Sequence, residues 1–258
     1  MHRLVFLLSL VLAAGPTATV DASRGAPIPL DDLLTYRITW LGLHCGDMSL
    51  ESRGEPSRPA LVHLEMRIRS TPWFDAIYRV RSVVTSLYDR NRATTRRYHE
   101  ISLEKDELKD DLWVVQVDRE RARRRKNGAV EIVEIPSSGA LDPLAMLYRI
   151  RALVDAPGEE YSLTVMTSRG ALEATVVAHG WEQIERSSGA VPALRVVQQA
   201  VGDSEFGRGG AMTMWLSAGD RRVPYRIEFD LPFGELVATL YDEAAAPILE
   251  VDPVPSGE

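Results

Sequence analysis

The chain has one cysteine, five histidines and 7% aromatic residues in 258 positions. It also lacks any unbroken apolar run of the roughly 20 residues that a spanning helix needs. A lone cysteine, Cys45, cannot close an intrachain disulfide, so stability must come from the core. No two of His44, His63, His99 and His179 stand at metal-ligand spacing, and neither a His-Glu-x-x-His helix nor a Cys-x-x-Cys pair occurs. No metal and no cofactor are therefore expected. The Gly-x-Ser-x-Gly elbow of a serine hydrolase is missing as well; the stretch 202–207 misses it by one residue and reads as a loop. Gly207-Arg208-Gly209-Gly210 lacks the strand-and-helix setting of a phosphate loop. His44 and Cys45 are neighbours, and neighbours on a strand point to opposite faces, so they make a poor nucleophile and base. No catalytic residue is assigned. Basic residues are also in deficit: 30 Lys and Arg against 37 Asp and Glu leave a net charge of -7, which speaks against nucleic acid as a partner.

What is present begins with His2 and Arg3, an apolar run from Leu4 to Ala14, and Val20-Asp21-Ala22 as a small-x-small cleavage site. A positive flank and an apolar core too short to span are the marks of a secretory signal peptide, expected over residues 1–22. Residues 23–258 are then expected to form a single domain, periplasmic and not membrane-spanning. Cys45 lies too far into the chain to become an acylated N-terminus.

Period-two alternation dominates the rest. Val62, Leu64, Met66 and Ile68 alternate with charged residues, and Val223, Tyr225, Ile227, Phe229 and Leu231 repeat the pattern. So do Tyr36, Ile38 and Trp40, then Tyr161, Leu163 and Val165, then Leu172, Ala174, Val176 and Ala178. Such alternation predicts antiparallel strands with one wet face. Asn127-Gly128 predicts a two-residue hairpin turn that pairs Arg124 with Glu131 and Arg121 with Glu134. The basic run from Arg119 to Lys126 then reads as a charged, solvated edge.

One helix is predicted, capped by Asp142, with Pro143 at its first position and an apolar stripe of Leu144, Leu147, Ile150, Leu153 and Val154 that leaves Arg149 and Arg151 outside. A weaker helical turn is expected over residues 71–76. About a dozen strands then face one main helix, which covers only a fraction of their apolar side. The expected fold is mainly β, a curled antiparallel sheet forming a barrel or half-barrel whose apolar face lines its own interior. The expected lining of an apolar pocket is Tyr36, Trp40, Met66, Ile68, Trp215, Tyr225, Ile227 and Phe229, with Leu147 and Ile150 from the helix. Arg222 is placed near the mouth as a candidate for an anionic headgroup.

Several motifs carry a family resemblance: Tyr36-x-x-x-Trp40-x-Gly42, Tyr78-Arg79-Val80, Ser86-x-Tyr88-Asp89, Asp142-Pro143-Leu144, Gly180-x-Glu182-x-Ile184, and Met214-Trp215-Leu216-Ser217-Ala218-Gly219-Asp220-Arg221-Arg222-Val223-Pro224. On these the chain resembles the domain-of-unknown-function family 3108 of Gram-negative envelope proteins, from about Leu34 to Leu240. The resemblance implies a periplasmic, mostly antiparallel domain without established activity, similar in fold to half-barrel lipoprotein carriers that hold acyl chains. Three functions remain in play. The first is non-catalytic binding of an apolar or lipid-like ligand; the second is docking to an envelope protein partner through a sheet edge. The third is hydrolysis of an envelope polymer, which would need Asp220, Arg222 and His179 to cluster.

Overall fold

The alternating segments become strands of one antiparallel sheet in the computed structural model, which describes residues 28–167, 170–200, 211–231 and 234–242. The signal segment expected at 1–22 and the glycine-rich stretch 202–210 lie outside the described residues. In chain order the elements are β1 (Asp32–Trp40), β2 (Leu43–Gly54), β3 (Leu61–Ser70), α1 (Pro72–Tyr78), β4 (Val80–Asp89), β5 (Thr94–Glu104), β6 (Glu107–Gln116), β7 (Arg121–Lys126), β8 (Ala129–Glu134) and α2 (Pro143–Leu153). There follow β9 (Glu160–Thr167), β10 (Gly170–Arg186), β11 (Gly189–Ala200), β12 (Met212–Ser217), β13 (Pro224–Leu231) and β14 (Gly234–Leu240).

The strands run in the order β8-β7-β6-β5-β4-β3-β2-β1-β14-β13-β12-β11-β10-β9. Two meanders, β1 to β8 and β9 to β14, are therefore sewn together where β1 pairs with β14. Among the described residues there are fourteen strands where about a dozen were expected, and their sheet does not close into a barrel. Among the described residues β8 and β9 are its unpaired edges, although β8 comes up against β10. The Asn127-Gly128 turn pairs Arg124 with Glu131 and Arg121 with Glu134, as its residue types predict. Both turn residues have positive φ, at 47° and 86°.

Beyond β8 the chain crosses to the opposite edge through the inside of the curl. Ala140 exchanges backbone and hydroxyl hydrogen bonds with Thr94 and Thr95 of β5, and Leu141 bonds to Thr164 and Met166 of β9. Gly139 permits this passage, since its φ is 86° and any β-carbon there would collide with Thr94. Asp142 then caps α2, accepting the backbone N–H groups of Leu144 and Ala145 at 2.9 Å. Its other oxygen accepts the hydroxyls of Ser86 and Thr95 at 2.5 and 2.6 Å.

The helix departs from expectation in one respect. Every residue from Leu144 to Leu153 is buried, including Arg149 and Arg151, which the apolar stripe had placed outside. A helix lying across a flat sheet has a wet back, whereas one enclosed by a curled sheet has none. Arg151 is accommodated because its guanidinium pairs with the equally buried Asp32 of β1 and donates to the carbonyls of Arg221 and Arg222 at 3.1 Å. This buried pair ties the end of α2 to β1 and to the turn before β13.

Candidate functional site

Strand registers arrange the inner-facing side chains in rows across the sheet. One row runs Asp32, Ser52, Leu64, Ser86, Tyr98, Trp113, Arg124 and Glu131 from β1 to β8. α2 lies along it, fastened to Ser86 at one end and Asp32 at the other. Further along the strands this roof is absent. Leu64 of β3 is buried, but Met66 and Ile68, next on the same face, are only half-buried. Tyr36 and Ile38 are buried and Trp40 is not; Ile227 is buried and Phe229 is not; Ala238 is buried and Leu236 is not. Burial thus falls off toward Trp40 on β1 and toward Phe229 on β13, while on β3 it dips at Met66 and Ile68, which lie between buried Leu50 and Val84 and between buried Met48 and Ser82 in their rows. From Leu64 to Ile68 the displacement is about 13 Å at strand rise.

The half-buried Trp40, Leu236 and Phe229 stand in one inner row from β1 through β14 and β13, which ends on the buried Met212 of β12. Phe74 of α1 meets the Trp40 ring edge-on, with centroids 6.1 Å apart. Gly234 lets the β13–β14 turn come close to Trp40, because a β-carbon there would lie 3.1 Å from Nε1. The outer rim of this open end carries exposed Leu41, Leu43, Trp73 and Ile77, with Trp73 Nε1 donating to the His44 carbonyl at 2.9 Å.

Of the residues read from sequence as pocket lining, Trp40 and Phe229 share one inner row through Leu236, and Met66 and Ile68 are half-buried in the rows of Leu34 and Tyr36. Tyr36 faces inward but is fully packed, and its hydroxyl donates to the Pro224 carbonyl at 2.9 Å. Leu147 and Ile150 are packed core on α2. Trp215 lies on the opposite, outer face: its neighbours Met214 and Leu216 point inward, while its Nε1 donates to Glu182 at 2.7 Å. Tyr225 is the extra residue of a bulge between β12 and β13, so the alternation that seemed to group it with Ile227 is broken there. The Arg186 guanidinium covers its ring at 5.1 Å.

Arg222 belongs beside the C-terminal end of α2, not at the open end. It is paired with Asp155 at 2.8 Å, lies over the Trp181 ring, and gives its carbonyl to Arg151. No hydrogen bond or ion pair among the described residues joins it to Asp220 or His179. The single cysteine, Cys45, is buried, and burial raises its thiol pKa above the usual range.

The composition of the inner wall changes across the sheet. The row that holds Leu34, Leu50, Met66 and Val84 continues into Glu100 and Asp111; the row that holds Tyr36, Met48 and Ile68 continues into Ser82, Ser102 and Lys109. β5 is therefore inverted, with Tyr98, Glu100, Ser102 and Glu104 facing inward and Ile101 and Leu103 outward. This polar half was missed at the sequence level. Its signal was an alternating segment whose apolar positions fall on the wrong face once the register of β4 is known.

A family model described as "Protein of unknown function (DUF3108)" matches residues 35–241, and the chain belongs to that family. No curated protein matches it. Among solved structures it is similar to a β-barrel-like protein of domain of unknown function DUF1849 from Brucella abortus, with TM-score 0.57 and 11% identity over 84% of this chain and 98% of that one. A hypothetical protein from Chlamydia trachomatis aligns at TM-score 0.33 and 10% identity over 85% and 93%. A protein with a YmcC-like fold from Bacteroides fragilis aligns at 0.31 and 10% over 84% and 96%. The first of these shares the fold.

Proposed function

We propose that this protein is a non-catalytic periplasmic carrier or receptor that holds a lipid-like ligand in the open end of its curled sheet. The observation that supports the reading is a set of half-buried apolar side chains on the inner face, Trp40, Leu236 and Phe229 in one row of β1, β14 and β13 and Met66 and Ile68 on β3. Apolar surface at a concave site gains about 25 cal/mol for each Å² that a ligand removes from water. The exposed rim of Leu41, Leu43, Trp73 and Ile77 suits transfer of such a ligand from an apolar source. The periplasmic location rests on the N-terminal signal segment, which the same experiment examines. Protein expressed with its own N-terminus and recovered from the periplasm is analysed by native mass spectrometry and solvent extraction. The reading expects cleavage near Ala22 and an extractable amphiphile; clean apo-protein that takes up no added lipid contradicts it.

A second reading has its own observation. β8 is an unpaired edge on which Val130 and Ile132 are exposed, the form of edge that accepts an added strand from an envelope partner. Cross-linking from Ile132 to a partner in envelope fractions, with no lipid recovered, would favour it.

A further inference from the structure

The inner rows that hold Met66 and Ile68 continue into Glu100 and Ser102 of β5, and the charges on this polar stretch do not balance in pairs. Asp111 is held by Arg124 at 2.6 Å, and Arg124 also reaches Glu131 at 3.0 Å. Glu104 is held by Lys109 at 2.7 Å. Glu100 stands between these pairs and takes one hydrogen bond, from the Tyr98 hydroxyl at 2.9 Å. The cation whose charge reaches it, Lys109, is committed to Glu104. Two residues along the same face, Ser102 is 1% exposed and its hydroxyl has no partner. A buried hydroxyl without a partner and a carboxyl without a cation each cost free energy in the empty protein. Both lie on β5, two strands from Met66 and Ile68, about 10 Å along the sheet.

Resting on the ligand reading above, we infer that the ligand's polar end is a cationic amine: its ammonium group pairs with Glu100 and donates to Ser102 Oγ, while its apolar part lies on Met66, Ile68 and Trp40. The chemistry follows from what is missing. An ammonium supplies charge to the one and hydrogen-bond donors to the other, whereas a carboxylate or phosphate would meet repulsion from Glu100, Glu104 and Asp111. Burial already pushes the Glu100 carboxyl above the usual carboxylate range, the direction expected of an acid waiting for a counter-charge.

The test uses three probes of one chain length, dodecylammonium, dodecanol and dodecanoate, titrated below their micelle concentrations against the mature protein by calorimetry. Wild type is expected to bind dodecylammonium about tenfold or more tighter than dodecanol, a gap of about 1.4 kcal/mol, and dodecanoate weakest. Glu100→Gln keeps the acceptor for Tyr98 and should abolish the gap; Ser102→Ala should narrow it. Glu185→Gln, the same charge change on an exposed strand end, should leave it intact, which separates local pairing from the general attraction of an acidic protein. Equal binding of dodecanol and dodecylammonium, or a gap that survives Glu100→Gln, overturns the headgroup inference and leaves the apolar site standing. Failure of all three probes to bind overturns both.

Discussion

Single residues in this protein divide into those whose buried polarity is answered and those whose polarity is not. Asp142 is fully buried, and burial raises its carboxyl pKa, yet it receives four hydrogen bonds that hold α2 to β4 and β5. Asp142→Ala removes a helix cap and strands two buried hydroxyls, so a loss of about 2–4 kcal/mol in urea unfolding is expected. Asp32 shows the opposite balance. Burial pulls its carboxyl up, but hydrogen bonds and charge from Arg151 and Arg221 outweigh that and leave its pKa below the usual value. The folded state therefore binds this proton less readily than the unfolded chain does. The resulting stability is present above the unfolded pKa of about 3.9 and is lost as pH falls through the lower folded value. Asp32→Asn should cost about 3–5 kcal/mol at neutral pH by leaving Arg151 buried without its counter-ion. It should also flatten the decline of urea midpoint below about pH 4, measured from pH 2 to 7. Glu100 and Ser102 behave differently from both. Their neutral replacements Glu100→Gln and Ser102→Ala should leave the melting temperature of the empty protein unchanged or raised, since neither interaction is completed without a ligand. A large loss of stability in both would mark them as structural.

At the scale of elements, what could be read from sequence depended on how local the cause is. The strands β3 and β13 and the β7–β8 turn follow from alternation and from Asn127-Gly128, both of which act within a few residues. The capped start of α2 was legible for the same reason, in Asp142 and Pro143. Its all-round burial was not, because Arg149 and Arg151 look like solvent residues unless the sheet is known to curl around them. The inverted faces of β5 were hidden in the same way: Ile101 and Leu103 look like core until pairing with β4 turns Glu100 and Ser102 inward. Trp215 enters the expected pocket by residue type and Tyr225 by its alternation with Ile227, but register sends the first outward and leaves the second in a bulge. Places where an element breaks its local rule without a packing reason are where function is sought, and β5 is such a place. The two ends of the interior should also answer differently to truncation. Ile150→Ala, on α2, opens a cavity in packed core and should cost about 2–5 kcal/mol. Ile68→Ala, at the uncovered end, should cost less than that in stability and weaken dodecanol binding, as thermal melts and calorimetry on both variants would show.

For the whole molecule, the defining fact is that a fourteen-stranded sheet has curled around a helix of only eleven residues. The helix fills the end between Asp32 and Ser86 and leaves the other end to its own side chains. A site formed this way has an apolar wall of adjustable depth. Each further methylene that it accepts should add about 0.8 kcal/mol, so extending an alkanol by two carbons should tighten binding roughly tenfold until the wall is exhausted.

The most direct measurement is a crystal structure of the mature protein grown with dodecylammonium. The account predicts an alkyl chain against Trp40, Met66, Ile68 and Phe229, with its nitrogen within hydrogen-bond distance of Glu100. Side chains from those same positions meeting across the opening and filling it, with no chain between them, would contradict it.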